Sequence, residues 1–366
     1  MKFIINREEI LTPLQQIVSV IEKRQTIPIL ANVLVLLKED KLVLTGTDLE
    51  IQIIAKIDRP HSLPGAITVP ARKFLDICRL LPAGAEIKFE QQDDKVKILS
   101  GRSRFSLNCL PAENYPEFAE SELENKFFIN AGKFKKALEK TIFCMANQEV
   151  RYYLNGLLLN ITNNKLKLVG SDGHRLAIYE DQLDTGTGIE ARIILPRKGV
   201  LELNRLLDDA DAELKVEFSN NNIRIFIKNL IFSAKLVDSK YPDFSRVFQQ
   251  EFLNEIHIQK QILKDALTRV AILSNEKFKG VSFDINSESL KLSTHNPEHD
   301  EAEEEIAIEF HGENLAIAFN AQYLLDAVSN LDSELAVLTI ASNASSCLIN
   351  EPNNDAYKFV VMPMRL

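Results

Sequence analysis

Apolar positions along this chain switch between two periods, and the switching recurs. KLVLTGTDLE (41–50), KLKLVGSDGH (165–174) and SLKLSTHNPE (289–298) each run an alternating apolar strand into a polar turn. Each begins 124 residues after the one before. AITVPARKFLDICRLLP from Ala66, RIILPRKGVLELNRLL from Arg192 and AIAFNAQYLLDAVSNL from Ala316 all place an apolar strand directly before an amphipathic helix. YPEF at Tyr115 and YPDF at Tyr241 close the first two units. A spacing this long exceeds solenoid periods, so each unit is expected to be a small domain, with bounds 1–124, 125–247 and 248–366.

The middle unit predicts the rest. A helix over 131–145 gathers Phe134, Ala137, Leu138, Thr141, Ile142 and Met145 on one face and Lys133, Lys136 and Lys140 on another. YLNGLLLNI, KLKLVG and HRLAIY read as strands, with NN and SDG as turns. A second helix starts at PRKG, where proline suits a first turn, and runs to Leu207 before three more strands. The expected class is α+β, with two helices packed on antiparallel sheet in each of three repeated domains.

Charge changes the picture. The net charge of −9 argues against a nucleic-acid partner until its distribution is counted. The six predicted helices (7–24, 72–81, 131–145, 197–207, 259–270 and 321–331) hold 16 basic and 8 acidic side chains, and the rest of the chain holds 27 and 44. Lysines also solvate ordinary helix faces, but a net positive balance concentrated on one class of element fits a phosphate-facing surface with no base-reading code. An acidic exterior would keep DNA from the wrong face.

Helices about 9 Å apart and about 10 Å across leave roughly 7 Å clear inside a ring of six and about 24 Å inside a ring of twelve. A B-DNA duplex is roughly 20 Å wide and needs the larger ring. A head-to-tail homodimer is the smallest closed ring that works. The chain's two end units carry opposite signatures for such a contact. The last has the acidic run NPEHDEAEEE, with Glu298, Asp300, Glu301, Glu303 and Glu304. The first has Arg102, Arg104, Phe105 and Leu107 on one strand, with Lys73 on the helix before it. Ile272 and Leu273, at a helix end, are candidates for an apolar centre of the contact.

Other signals carry less. Four dispersed cysteines (Cys78, Cys109, Cys144 and Cys347) without a CxxC pair read as buried thiols in a reducing, cytoplasmic setting. No apolar run approaches the roughly 20 residues of a membrane span. GTGIEA (186–191) matches a dinucleotide fingerprint in letters only and reads as a loop between strands. SDGHR lacks a nucleophile with an orienting partner, so His174 reads as a turn or pocket residue. Six scattered histidines suggest no metal, and no cofactor is expected. NIT at Asn160 and NAS at Asn343 are sequons without a secretory route. The carboxyl end VVMPMRL places Met362 and Met364 where they could line a surface accepting several partners, or else belong to a buried last strand.

LTGTDLE (44–50), VPARKF (69–74), SGRSRFSL (100–107), VRYYLNG (150–156), SDGHRLA (171–177), PRKGV (196–200), SNNNIR (219–224), SNEKFKGV (274–281) and VVMPMRL (360–366) together resemble one family over the whole chain. It is the bacterial sliding clamp, the beta subunit of DNA polymerase III. The resemblance implies a ring-shaped homodimer that encircles double-stranded DNA, is opened by an ATP-driven clamp loader, and is not itself an enzyme. It implies DNA contacts at Arg24, Arg72, Gln148, Tyr152 and Tyr153, to which Arg197 and Lys198 at a basic helix start are added. It also implies a pocket for short linear motifs of the polymerase III alpha subunit, the clamp loader, translesion polymerases and repair proteins. That pocket corresponds to Leu154, Ser171, Gly173, His174, Arg175, Leu176, Pro242, Arg246, Val247, Asn320, Tyr323, Ala344, Ser346, Val360, Val361, Met362, Pro363, Met364, Arg365 and Leu366. Ala344 and Ser171 depart from the larger side chains usual there. The rival readings are a peptide-binding scaffold built from repeats without DNA, which the helix-confined charge disfavours, and an enzyme, which lacks a catalytic constellation.

Overall fold

Each sequence repeat folds as the same ten elements: strand, helix, three strands, then strand, helix, three strands. The first contains β1 (Lys2–Asn6), α1 (Arg7–Val18), β2 (Asn32–Lys38), β3 (Lys41–Thr47), β4 (Ile51–Asp58), β5 (Gly65–Pro70), α2 (Ala71–Leu80), β6 (Glu86–Gln92), β7 (Lys95–Ser100) and β8 (Ser103–Asn108). The second contains β9 (Asn125–Asn130), α3 (Ala131–Ile142), β10 (Gly156–Thr162), β11 (Lys165–Ser171), β12 (Arg175–Gln182), β13 (Ala191–Pro196), α4 (Arg197–Leu206), β14 (Glu213–Phe218), β15 (Asn222–Ile227) and β16 (Leu230–Lys235). The third contains β17 (Glu255–Gln259), α5 (Lys260–Ala271), β18 (Gly280–Ile285), β19 (Ser289–His295), β20 (Glu301–Ala307), β21 (Leu315–Asn320), α6 (Ala321–Ser329), β22 (Leu335–Ile340), β23 (Cys347–Glu351) and β24 (Asn354–Val361). This computed structural model describes the chain except 23–25, 61, 119–121, 184–187, 249–254, 343–344, 366 and the Arg246 side chain.

The halves of a repeat exchange strands. In the first repeat β5 joins β2-β3-β4, while β1 joins β6-β7-β8, so each repeat contributes to two antiparallel sheets rather than one. Helix α1 touches β1 of one sheet and β3 and β4 of the other, with α2 against it. The helix pair therefore closes a core shared by both sheets. Helical spacing buries Ile10, Leu14, Ile17 and Val18 of α1, Phe74, Leu75 and Cys78 of α2, and Leu263, Ala266, Leu267 and Val270 of α5. Phe3 stacks on Phe89 at 4.6 Å, and Phe74 tilts against it at 5.8 Å. Each buried ring contributes roughly 1.5–3 kcal/mol.

Helix packing is close where glycine permits it. A Cβ on Gly46 would lie 2.5 Å from Ile17 Cγ2 of α1, and one on the repeat-equivalent Gly170 would lie 2.5 Å from the Thr141 carbonyl oxygen of α3. Two predicted helices run short by three residues or more. Helix α1 ends at Val18 rather than 24, and α3 at Ile142 rather than 145. Lys140, expected on an exposed basic face, is only 6% exposed. Its ammonium reaches Asp332 and the Asn330 carbonyl and lies 4.4 Å over the Tyr357 ring. An exposed Asp332 carboxylate, a backbone carbonyl and the buried Tyr357 ring hold the ammonium and outweigh the helical pattern there.

Cα packing divides the chain into two bodies, 1–135 with 198–238, and 136–197 with 239–366. In the first body β4 pairs β16, fusing strands of the first and second repeats into an eight-stranded sheet, β5-β2-β3-β4-β16-β15-β14-β9. In the second body β12 pairs β24 in the same manner, giving β13-β10-β11-β12-β24-β23-β22-β17. Two four-stranded sheets remain: β1-β6-β7-β8 in the first body and β20-β19-β18-β21 in the second. All four cysteines are buried and free. Burial pushes the Cys78 thiol up to about 12 and the Cys109 thiol up to about 11. Among the described residues no helix is long and apolar enough to cross a membrane.

Candidate partner groove and nucleic-acid interface

The SDGH turn is built by its own side chains. Asp172 Oδ1 accepts from the amides of His174 (2.9 Å) and Arg175 (3.0 Å), while Ser171 Oγ accepts from Gly173 N (3.1 Å) and donates to the Arg175 carbonyl (2.8 Å). Gly173 sits at φ +89°, and a Cβ there would come within 2.7 Å of the Arg151 guanidinium. Asp172 is thus a turn former and His174 an exposed turn residue. The GTGIEA match is partly outside the described residues; its end, 188–190, runs directly into strand β13.

Arg175 is committed within the fold. It pairs with Asp172 and Asp326, lies 4.4 Å over the Tyr323 ring and 5.7 Å from the Phe143 ring centre, and is 13% exposed at its side chain. Asn320 caps α6 by accepting from Tyr323 N at 3.1 Å, and its own amide donates to the Phe278 carbonyl. Beside these, β24 ends at Val361 and the tail crosses over. Met362 N donates to the His174 carbonyl at 2.8 Å, and Met364 N to the Ala318 carbonyl at 2.8 Å. Along VVMPMRL, Val360 and Val361 are buried strand residues at 1% exposure, while Met362 is 43% exposed and Pro363 and Met364 are half-buried. Leu154, Leu176 and Ser346 are also buried, Pro242 is exposed and Val247 half-buried. Ala344, Leu366 and the Arg246 side chain lie outside the described residues.

Sequence reading missed a neighbour of this tail. A cavity of about 400 Å³ is lined by Phe278, Thr294, Asn296, Pro297, Met364 and Arg365 among others. Phe278 is 54% exposed, and an exposed aromatic inside SNEKFKGV was the available signal.

Of the residues expected to meet DNA, Arg24 lies outside the described residues. Arg72, in the first turn of α2, donates to the Ile21 carbonyl at 2.8 Å. Arg197 donates to the Met145 carbonyl at 3.1 Å. Lys198 pairs with Glu22 at 2.6 Å and with Asp48. Burial pulls the Lys198 ammonium down, but hydrogen bonds and charge from Asp48 and Glu22 outweigh it and hold the group protonated above its usual range. Gln148 is exposed at φ +58°, Tyr152 is 60% exposed, and Tyr153 packs between Tyr152 and Tyr241 at ring distances of 6.5 and 6.4 Å.

The four-stranded sheets end on strands with one neighbour each. Strand β8 pairs only β7 and β20 only β19 among the described residues. On and beside β8, Arg102 and Arg104 are exposed, Phe105 is half-buried, and Leu107 turns into its own core at 9% exposure. On β20, Glu303 pairs with Lys291 at 2.7 Å and Glu304 with Arg269, while Glu298, Asp300 and Glu301 stand exposed. Lys73 is exposed, Ile272 is 74% exposed and Leu273 is half-buried.

Comparison with known proteins places this repeat architecture. Models of the DNA polymerase III beta subunit match in chain order: its N-terminal domain over residues 1–119, its central domain over 128–243 and its C-terminal domain over 245–365. The chain belongs to the DNA polymerase III beta subunit family. A beta sliding clamp from Salmonella typhimurium is 43% identical, and one from Pseudomonas aeruginosa 41%, each over the full length of both chains. A crystal structure of the Pseudomonas aeruginosa sliding clamp bound to griselimycin superposes with a TM-score of 0.97 at 41% identity, both chains covered completely. The Caulobacter crescentus polymerase III beta structure does so at 0.95 and 33%, again over both chains. Three clamp domains, with six helices and antiparallel sheets among the described residues, are those of a sliding clamp, and the role that follows is that of a polymerase processivity factor.

Proposed function

We propose that this sliding clamp works as a head-to-tail homodimer that closes around duplex DNA and is held there by topology. One observation carries the reading. Both junctions inside the chain join the fourth strand of one repeat to the last strand of the next, β4 to β16 and β12 to β24. That rule leaves the fourth strand of the third repeat, β20, and the last strand of the first, β8, as the two halves of one further junction. Charges at the two edges are opposite, with Arg104 on β8 and Arg102 just before it, and Glu301 on β20 with Glu298 and Asp300 just before it. Two copies joined twice in this way make a closed ring of six repeats.

In this reading Arg24, Arg72, Gln148, Tyr152, Tyr153, Arg197 and Lys198 face the duplex, and binding is to phosphates without sequence preference. The tail residues Met362, Pro363 and Met364, with His174, Pro242, Val247, Asn320 and Tyr323, form a groove for linear motifs of the polymerase III alpha subunit, clamp loader, translesion polymerases and repair proteins. Griselimycin, which the Pseudomonas aeruginosa clamp binds, is taken to be a ligand of this chain as well. The protein performs no catalysis of its own and acts in the cytoplasm. The deciding experiment is retention on a nicked circular plasmid: the clamp, loaded by a clamp loader with ATP, stays on the circle and runs off once the plasmid is linearised. Equal retention on both forms would reject topological linkage.

A further inference from the structure

The junction that carries the Met362 tail has a repeat-related twin in the first body. Where Met362 N donates to the His174 carbonyl at 2.8 Å, Lys235 N donates to the Glu50 carbonyl at 2.9 Å. Glu50 lies 124 residues before His174. The turns match bond for bond. Asp48 Oδ1 accepts from Glu50 N (2.9 Å) and Ile51 N (2.7 Å), and Thr47 Oγ1 accepts from Leu49 N (2.9 Å) and donates to the Ile51 carbonyl (2.7 Å). Leu49 takes the left-handed conformation at φ +78°, as Gly173 does. The YPEF segment stands where YPDF stands in the other junction, with Tyr115 buried like Tyr241.

An open groove of about 960 Å³ runs between that segment and the face of β2, β3 and β4. Its lining includes Leu34, Ile54 and Pro116, all half-buried, and Phe118, whose ring centre lies 5.9 Å from the Lys235 ammonium. The chemistry differs between the two grooves. Gln52 replaces Leu176, Lys235 replaces Met362, and the carboxylates of Glu113 and Glu117 stand exposed on the rim. Neither carboxylate has an ion-pair partner among the described residues.

We propose that this groove is a second docking site, for an extended peptide that sets an apolar side chain on Ile54, Leu34 and Pro116 and a basic side chain against Glu113 and Glu117. Its volume suits a few side chains, and its rim charge selects cations over the acidic segments that Glu113 and Glu117 would repel. The peptide class rests on equivalence with the carboxyl-end groove, so the test is run where that groove is blocked.

The probes are fluorescein-labelled pentapeptides, Arg-Leu-Arg-Leu-Phe and its acidic counterpart Glu-Leu-Glu-Leu-Phe, titrated by polarisation into the full chain carrying Met362→Lys. The basic peptide is expected to bind and the acidic one not to. Adding Glu113→Gln and Glu117→Gln, both on exposed positions, should weaken the basic peptide by about tenfold, the sum of two rim carboxylates. Three results would overturn the proposal: no binding in the Met362→Lys background, equal binding of both peptides, or an affinity unmoved by the two glutamine changes. In each case loss of griselimycin binding on Met362→Lys would still be read separately, as a result about the carboxyl-end groove.

Discussion

The amide of Met362 donates to the carbonyl of His174 at 2.8 Å, which holds the carboxyl-terminal tail on the edge of the SDGH turn. Beyond this bond the backbone leaves β24, so Met362 offers exposed apolar surface and Met364 half-buried apolar surface. Deleting residues 362–366, or changing Met362 and Met364 to polar residues, should lower griselimycin affinity at least tenfold, because small ligands depend on one or two apolar anchors. Calorimetry reads the binding and light scattering the assembly, which should survive. Full-strength binding to a folded truncated protein would place the groove elsewhere.

The free edges make the second prediction. Reversing charge at Arg102 and Arg104 together should shift dimer toward monomer in analytical ultracentrifugation, while reversing two exterior acidic residues should not. Each rim ion pair is worth roughly 0–1 kcal/mol, so the double change is needed. Glu303 and Glu304 already have partners in their own chain, so reversing Glu298, Asp300 and Glu301 should matter more. A double arginine mutant that stays dimeric at nanomolar concentration would reject the contact.

A third concerns the phosphates of the duplex. Replacing Arg24, Arg72 and Lys198 by alanine should flatten the salt dependence of DNA binding by up to about 0.9 for each phosphate no longer neutralised. Lys198 alone should contribute least, since Glu22 and Asp48 already neutralise it. An unchanged slope in the triple mutant would mean that these side chains do not meet the duplex.

Two hydrogen-bonded carboxylates, buried Glu351 and exposed Asp332, give a pH dependence. Glu351, 5% exposed, accepts from the amides of Asp332 and Ser333 and from Asn354 Nδ2. Burial works to raise its carboxyl, but hydrogen bonds from Tyr357, Asn354 and those amides hold it below the usual range, and Lys140 and Lys136 do the same for Asp332. Folded carboxyls that titrate below their unfolded values add stability above about pH 4–4.5 and lose it as pH falls through the lower folded values. Glu351→Gln should cost about 2 kcal/mol at neutral pH and reduce the acid-side slope of stability, measured by urea unfolding. A slope equal to that of the unmodified protein would contradict this assignment.

Gly170→Ala should destabilise by about 1–3 kcal/mol, since its Cβ meets a backbone oxygen that cannot rotate away. The same unfolding measurement, with a loss below half that range, would show that α3 shifts freely.

What the sequence determined by itself was local and periodic. The 124-residue repeat, the strand-before-helix order and the helical faces of Phe134, Leu138 and Thr141 follow from side-chain pattern, and the Asp48 and Asp172 turns follow from residues that bond to their own backbone. Most of the candidate site residues came from likeness to a family rather than from pattern. Tertiary structure decided everything that needs two distant segments. No pattern shows that β1 crosses to the sheet of β6, that β4 pairs β16, or that Lys140 and Lys198, written on basic helix faces, are matched to Asp332 and to Glu22 and Asp48. Strand pairing and charge neutralisation are set by which groups meet across the fold, and single-chain periodicity records only which side of its own element a residue occupies.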